Sequence, residues 1–391
     1  MPQLAFTKYT SCGNNFVIVD ELDGDVVTES EWTAVAFSAT NPYFGIGSDN
    51  LLVIQRASEA KLREINEERH YWEDIPSLPN DCLIFRMFEP DGEEAFCCGN
   101  GLMSIAHHLR ARHGITAGEI ATEIPRQHPK VVSLGSMGTG ERSWVELGAP
   151  TQTPAELVDR ARVTPVTDEI DAIEGLQFEF RQHDLSPFHD GTMLSLNAYL
   201  VFTGEPHLVV FPETGIAPSA LGETLFRSSQ VGGEASAQCK RVNFGTWLLR
   251  RIGYHANRRF PGLFPSGVNV NMAQVLEGGR AVEYRTFERG IYRETLACGT
   301  GALAVSYVAD QLNLVGRDGL ALLPHRCRWF EPNAAIDVRK SGNGWLLQST
   351  PRRICDGTLS IAEPERKVEK RDSEELAAER DEVVANSVKT G

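Results

Sequence analysis

Two cysteines of this sequence stand in the same short motif, and each is followed by a small and apolar run. Cys98 begins C-G-N-G and Cys298 begins C-G-T-G. Glycines directly before an apolar run are typical of a tight turn that opens a buried helix. The first N–H groups of such a helix lack intrahelical partners and carry partial positive charge. We therefore expect each cysteine at a helix mouth, by which we mean the N-terminal end of a helix with its unpaired N–H groups. A thiolate and a bound carboxylate would both be favoured there.

The surroundings of the two cysteines repeat as well. A glutamate precedes each cysteine by four residues, at Glu94 and Glu294, and a Phe-Glu pair lies further upstream, at 88–89 and 287–288. Such an internal duplication predicts two halves that face each other across one site.

Two thiols at facing helix mouths could invert a stereocentre. Both sets of N–H groups would hold a substrate carboxylate while one thiolate removes a proton from the neighbouring carbon and the other thiol adds one to the opposite face. The α-proton of an amino acid is a very weak acid, so desolvation and N–H groups aimed at the developing charge must assist. The sequence shows no lysine motif for pyridoxal phosphate, and we expect no cofactor. The alternatives are two buried structural cysteines or a disulfide between them.

The composition narrows the class of protein. The 391 residues suffice for two domains, and the net charge of −15 argues against nucleic acid and anionic membranes as partners. The first ten residues lack the pattern of a secretory signal, and no apolar run is long enough to span a bilayer. The sequence has eight cysteines, and their number in a chain of this length is typical of a cytoplasmic protein whose thiols are reduced. They include no C-x-x-C pair, so their spacing does not indicate a zinc site. We expect a cytoplasmic enzyme with a small-molecule substrate.

Strands in quick succession with few helices predict an α+β fold. A strand–turn–strand unit is expected up to Asp20, two strands within 194–211 and one strand over 268–276. The charged segment 56–80 is interpreted as an exposed helix and loop, and 151–161 as a short helix. Segment 213–263 stays mixed, and the charged tail 363–391 is interpreted as disorder or a solvated helix.

Six segments resemble, in order, the motifs of the diaminopimelate epimerase family of cofactor-independent amino-acid racemases and epimerases. They are F-T-K-Y-T-S-C-G-N-N-F from Phe6, G-I-G-S-D-N-L from Gly45, D-G-E-E-A-F-C-C-G-N-G from Asp91, G-E-P-H-L-V from Gly204, F-P-S-G-V-N-V from Phe264 and F-E-R-G-I-Y-R-E-T-L-A-C-G-T-G-A from Phe287. The resemblance extends over most of residues 5–361. It identifies Cys98, and not its neighbour Cys97, as the cysteine of the first motif.

The resemblance implies an isomerase that acts in amino-acid and lysine biosynthesis. Its fold would be two pseudo-symmetric domains, each a sheet wrapped around a central helix, with the active site in the cleft between them. The boundaries would be 1–145 with a returning strand 352–362, and 146–351. Cys98 and Cys298 would be the acid/base pair. The candidate substrate-binding residues either match binding positions of the family or stand in the same motifs. They are Asn14, Asn50, Glu89, Gly99, Asn100, Glu205, His207, Asn269, Glu288, Arg289, Gly299 and Thr300. Dimers are frequent in the family, so a homodimer is one state that it allows.

Three departures from the family bear on the substrate. The family has Gln where this chain has Asn50, and Asn where it has Glu89 and Glu205. Two carboxylates in place of neutral donors would repel a second carboxylate and favour a cation. Diaminopimelate is therefore the family-level expectation, and a basic amino acid is the alternative. The glutamates could also be solvated loop residues, and a homologue that binds amino acids without catalysis is a further alternative.

Overall fold

The fold is given by a computed structural model, which describes residues 3–138, 141–181, 184–185, 191–213, 220–226, 235–276, 278–316, 319–342 and 344–360. The tail 363–391 and the last two residues of the expected returning strand lie outside these ranges.

Strands dominate the chain. They are β1 (Gln3–Ser11), β2 (Asn14–Asp20), β3 (Asn50–Arg56), β4 (Leu83–Phe88), β5 (Glu94–Ala95), β6 (Ala117–Thr122), β7 (Lys130–Met137), β8 (Arg142–Glu146), β9 (Thr164–Pro165), β10 (Asp171–Glu179), β11 (Met193–Phe202), β12 (Pro206–Val210), β13 (Asn269–Val275), β14 (Ala281–Glu288), β15 (Arg293–Glu294), β16 (Leu320–Pro324), β17 (Ile336–Ser341), β18 (Gly344–Ser349) and β19 (Arg352–Ser360). The α-helices are α1 (Trp32–Thr40), α2 (Glu59–Arg69), α3 (Gly99–His113), α4 (Ala220–Phe226), α5 (Ala235–Arg258) and α6 (Gly299–Gln311). Short 3₁₀ turns cover Glu29–Glu31, Arg160–Arg162 and Cys327–Trp329.

These strands form one large sheet of a mixed α/β fold. The order of pairing repeats along it. In the first half β2 runs parallel to β3, β3 antiparallel to β4, and β4 parallel to β6. In the second half β12, β13, β14 and β16 pair in the same sequence of directions. Strand β8 pairs with β18, and β19 returns to pair antiparallel with β1.

Helices α3 and α6 pack against strands of this sheet. Each begins at a glycine after one of the two cysteines, and its residues are buried without a break through Ala106 in α3 and through Ala309 in α6. Leu102 and Ile105 of α3 and Leu303 and Val305 of α6 belong to one hydrophobic cluster that both helices share. The hydrophobic cluster that stabilises the fold therefore also fixes the orientation of the N-terminal ends of both helices.

Several local predictions are confirmed. Strands β1 and β2 pair as the expected antiparallel unit, the segment 194–211 contains β11 and β12, and β13 occupies most of 268–276. Helix α3 ends at His113, where Gly114 adopts a left-handed conformation with φ of 70°. A glycine at that position ends a helix without the steric cost of a side chain.

Three local predictions need correction. The interpretation of 151–161 as a helix is wrong, because the segment consists of a β-bridge at Thr151, a turn, a bend and the 3₁₀ turn from Arg160. Segment 56–80 does contain a helix, α2, but it is not merely exposed: Leu62, Ile65 and Trp72 are buried in a separate hydrophobic cluster. Segment 213–263 holds the 24-residue helix α5, which the mixed composition did not indicate. Among the helices that the structure describes, none is long and apolar enough to cross a membrane.

Candidate active site

The strand directions gather the candidate residues. Asn14 and Asn50 begin the parallel strands β2 and β3, and Glu89 follows the end of the antiparallel strand β4. In the second half Asn269 begins β13 and Glu288 ends β14. The first residue of a strand and the last residue of its antiparallel neighbour lie at the same end of the strand pair. Each half therefore presents its polar residues at one end of its strands.

Both cysteines are the N-cap residues of the buried helices. The Cys98 sulfur accepts a hydrogen bond from Gly101 N at 3.4 Å, and the Cys298 sulfur accepts one from Gly301 N at 3.3 Å. Each thiol thus takes the place that a serine or aspartate side chain commonly occupies at a helix start. This geometry is the one expected from the two C-G-x-G motifs.

The two helix mouths are in direct contact. A β-carbon built on Gly299 would lie 3.0 Å from Asn100 N and 3.1 Å from Gly99 Cα. A β-carbon on Gly99 would lie 3.4 Å from Gly299 Cα. Only residues without side chains allow this approach, so the glycines bring two sets of helix-end N–H groups to one place.

A cavity of about 330 Å³ opens at this contact. Both cysteines line it. Of the fourteen residues singled out from the sequence, twelve are in its wall: Asn14, Asn50, Glu89, Cys98, Gly99, Glu205, Asn269, Glu288, Arg289, Cys298, Gly299 and Thr300. A concave site with convergent polar groups is a common setting for ligand binding.

The two remaining candidates lie behind the wall. Asn100 is fully buried, and its side-chain amide donates to Asn14 Oδ1 at 2.6 Å. Asn14 in turn hydrogen-bonds the Asp49 carboxylate. His207 is also fully buried, on strand β12 rather than in a turn. Both residues therefore orient cavity groups instead of facing the cavity with their own side chains.

His207 belongs to a chain of hydrogen bonds that ends at a thiol. Asn271 Nδ2 lies 3.1 Å from His207 Nδ1, and His207 Nε2 lies 3.1 Å from Thr300 Oγ1. Burial lowers the pKa of His207 to about 3, so the ring is neutral. Because Asn271 donates to Nδ1, the ring proton is on Nε2 and points to Thr300. The Thr300 hydroxyl is then free to donate to the Cys298 sulfur, 3.4 Å away.

Replacing Thr300 by valine should slow proton transfer at Cys298. The change keeps the shape and removes the donor, and a hydrogen bond to a charged group contributes about 1.5–3 kcal/mol, so we expect roughly ten- to hundredfold lower kcat. Steady-state rates of α-proton exchange measure the effect, and Thr300→Ser should retain most of the activity. Equal rates in Thr300→Val and the unmodified protein would show that this hydroxyl does not serve the thiol.

The electrostatics of the thiols differ from the expectation. Burial raises the pKa of Cys98 and of Cys298 far above the ordinary value, and the Glu288 carboxylate adds to the effect on both. The helix-end N–H groups act in the predicted direction but are outweighed by desolvation. Both thiols are therefore protonated in the empty site.

The carboxyls of the cavity are also perturbed by burial. Desolvation, together with neighbouring carboxylates that include Glu89 and Glu205, raises the pKa of Glu288 to about 8. The pKa of Glu89 rises to about 7 for the same reasons. Glu205 forms an ion pair with Arg289, whose Nε donates to Glu205 Oε2 at 2.6 Å. The interpretation of Glu89 and Glu205 as solvated loop carboxylates does not fit these half-buried positions.

Sequence reasoning noted the repeated glutamates but missed their partners. Glu94 pairs with Arg86 and Glu294 pairs with Arg285, and both arginine side chains are inaccessible to solvent. Each pair ties the two-residue strand before a cysteine to the long strand beside it. The signal was present, because an arginine stands two residues before each of the Phe-Glu pairs.

The chain is similar to several curated proteins named diaminopimelate epimerase. That of Archaeoglobus fulgidus is 28% identical over 325 residues, with 80% of this chain and 84% of the relative covered. That of Methanothrix thermoacetophila is 27% identical over 368 residues, with 92% and 97% covered. That of Xanthomonas euvesicatoria is 29% identical over 331 residues, with 84% and 89% covered. No family model matches the chain.

Two solved structures show the same fold at low identity. A hydroxyproline epimerase from Agrobacterium vitis has a TM-score of 0.54 at 11% identity, with 93% of this chain and 94% of that chain covered. A phenazine biosynthesis protein of the PhzF family from Bacillus anthracis has a TM-score of 0.50 at 13% identity, with 92% and 100% covered.

The chain is thus an enzyme of the isomerase class, similar in sequence and in fold to epimerases. The similarity indicated by the motifs is confirmed at this level, and the relatives named above are called diaminopimelate epimerases.

Proposed function

We propose that this protein is a cofactor-independent amino-acid racemase or epimerase, similar to diaminopimelate epimerase, that inverts an α-carbon between two thiols. The observation that carries the proposal is the contact of the two helix mouths at Gly99 and Gly299, with Cys98 and Cys298 in the wall of the same cavity.

In the proposed reaction the helix-end N–H groups of both helices bind the α-carboxylate. One cysteine, as thiolate, takes the α-proton, and the electron pair moves towards the carboxylate. The N–H groups then stabilise the added negative charge in a site from which water is excluded. The other cysteine, as thiol, gives its proton to the opposite face of the carbon. The two cysteines exchange protonation states, so the reverse reaction starts from the opposite arrangement.

The protonation of the empty site suits such a cycle. Two protonated thiols cannot start catalysis, but the positive charge of an ammonium group bound beside Glu288 would lower the pKa of Glu288 and of the nearby thiols. The thiolate would then form only when substrate occupies the cavity. A neutral thiol pair also avoids keeping a reactive anion in the empty site.

We further propose that the site lies between two related halves, residues 1–145 with the returning strand from 352 and residues 146–351. The repeated order of strand pairing and the position of one cysteine helix in each half support this division. The pairing of β19 with β1 supports the assignment of the returning strand to the first half.

The proposal is tested by incubating the protein with single enantiomers of amino acids in deuterium oxide. Inversion accompanied by one deuteron at the α-carbon is expected, without added pyridoxal phosphate and without inhibition by hydroxylamine. A protein that binds an amino acid by calorimetry but exchanges no α-proton with any amino acid tested would contradict the proposal and fit a binding-only homologue.

A further inference from the structure

The wall of the cavity is strongly acidic away from the thiols. Five glutamates line it, at Glu89, Glu93, Glu94, Glu205 and Glu288, whereas Arg289 is the one Arg or Lys side chain among the lining residues that the structure describes. Glu94 is already neutralised by a buried arginine, and Glu93 is exposed. The charge that a ligand meets therefore depends on the other three carboxylates and the guanidinium.

Every nitrogen of the Arg289 guanidinium already donates one hydrogen bond within the protein. Its Nε and Nη2 both donate to Glu205 Oε2, and its Nη1 donates to Ser266 O at 2.8 Å. The backbone N–H of Arg289 donates to Asn269 Oδ1 at 2.8 Å, which holds the residue in place. A second carboxylate on a substrate would have to use the two remaining N–H groups, on Nη1 and Nη2, and would then lie close to Glu205.

Glu89 is not paired with any residue that the structure describes. Its carboxylate makes no hydrogen bond or ion pair there, although it is half-buried and lies against the backbone of Gly290. A β-carbon on Gly290 would be 3.2 Å from Glu89 Oε2. A charged, half-buried carboxylate without a partner is costly, and a positive group bound beside Glu89 would lower that cost.

The α-ammonium group of an amino acid does not account for all of this charge. Glu288 accepts a hydrogen bond from the hydroxyl of Thr295, three residues before Cys298, and its charge acts on both thiols, so it suits the α-ammonium. Glu89 and Glu205 interact with Arg289 and with each other. The carboxylates of Glu89 and Glu205 are therefore available to bind the far end of the substrate's side chain.

We propose that the substrate's side chain ends in a cation, an ammonium or guanidinium group, which binds at Glu89 and Glu205. This inference rests on the proposed racemase function and names its substrate class: basic α-amino acids such as lysine, ornithine or arginine. Diaminopimelate fits less well because its second centre carries a carboxylate, which would meet two carboxylates and an occupied arginine.

The experiment compares side chains that differ only at the end. Rates of α-proton exchange in deuterium oxide are measured for L-lysine, L-ornithine and L-arginine, for the neutral L-norleucine, for the anionic L-2-aminoadipate and for meso-diaminopimelate. We expect kcat/KM for the best basic substrate to exceed that for norleucine by about ten- to hundredfold, the usual effect of a hydrogen bond to a charged group.

Two variants assign the effect to the proposed residues. Glu89→Gln should lower kcat/KM for the basic substrate by about ten- to hundredfold and leave norleucine within about twofold. Glu205→Gln should free Arg289 and raise the activity with 2-aminoadipate. Glu67→Gln, on the exposed face of α2, is the matched control and should change neither substrate.

The outcomes separate this inference from the proposed function. Exchange that is as fast with norleucine or diaminopimelate as with every basic amino acid would overturn the inference and leave the racemase function standing. A preference for basic substrates that Glu89→Gln does not reduce would overturn the assignment of the site. No exchange with any amino acid would overturn both.

Discussion

Replacing either Cys98 or Cys298 by serine is expected to abolish racemisation while leaving the fold intact. A serine hydroxyl ionises far less readily than a thiol, so it cannot take the α-proton on its face of the substrate. General acid–base groups contribute about 10²–10⁴-fold to a rate, and we expect a loss of about a thousandfold or more in each variant. Polarimetry or chiral chromatography measures the inversion, and thermal melting checks the fold.

The two serine variants should also differ from each other in a defined way. Each keeps one thiol, which can remove and return a proton on its own face, so exchange with retention can survive for one enantiomer only. Cys98→Ser and Cys298→Ser should therefore retain slow exchange with opposite enantiomers. Cys355→Ser, at an exposed cysteine, is the control and should behave as the unmodified protein. Wild-type turnover in either active-site variant would rule out the two-thiol mechanism.

Replacing Gly299 by alanine is expected to have the second large effect. The added methyl group would lie 3.0 Å from Asn100 N and 3.1 Å from Gly99 Cα, both backbone atoms that cannot rotate away. The two helix mouths would have to separate by several tenths of an ångström. Misplacement of reacting groups by about 1 Å can cost about a hundredfold, so we expect a loss of kcat/KM of tenfold to about a hundredfold. Overpacking of a filled site also costs about 1–3 kcal/mol in the free energy of unfolding.

A graded comparison makes this prediction sharper. In Gly99→Ala the methyl group would meet the Leu347 side chain at 3.2 Å and Gly299 Cα at 3.4 Å, which allows more relaxation. Its loss of activity should therefore be smaller than that of Gly299→Ala. Gly262→Ala, where no atom lies within 4 Å of the new methyl group, is the control. Unchanged kcat/KM in Gly299→Ala would mean that the contact of the helix mouths does not set the geometry of the site.

The helix mouths could be predicted from the sequence because capping is a local property. The residues that define a helix start, a cysteine followed by glycines and then an apolar run, are neighbours in the chain, and α3 and α6 begin where this pattern places them. Strand β13 was predictable for the same reason, since alternation and length are local. Helix α5 was not predicted, because it is stabilised by the packing of its buried residues Leu248, Leu249 and Ile252 against β14 and its neighbours, which are distant in the sequence.

Whether each candidate side chain faces the cavity depends on its burial in the tertiary structure, which the local sequence pattern does not predict. His207 and Asn100 were correctly associated with the region, yet both lie behind the cavity wall. Arg86 and Arg285 were overlooked because their repeated position does not by itself show that a glutamate eight or nine residues later is buried beside each of them.

The sequence by itself determined the repeated cysteine motif, the two helix starts and the acidic residues that depart from the family pattern, because these are statements about residue types and spacing. Only the tertiary structure decided that the two helix mouths touch, that both thiols are protonated in the empty site, and that Arg289 is occupied by Glu205 while Glu89 is not paired within the described chain. The physical reason is that contact, desolvation and charge pairing are set by residues far apart in the chain, 84 positions for Glu205 and Arg289 and two hundred for Gly99 and Gly299, which meet only when the sheet has formed.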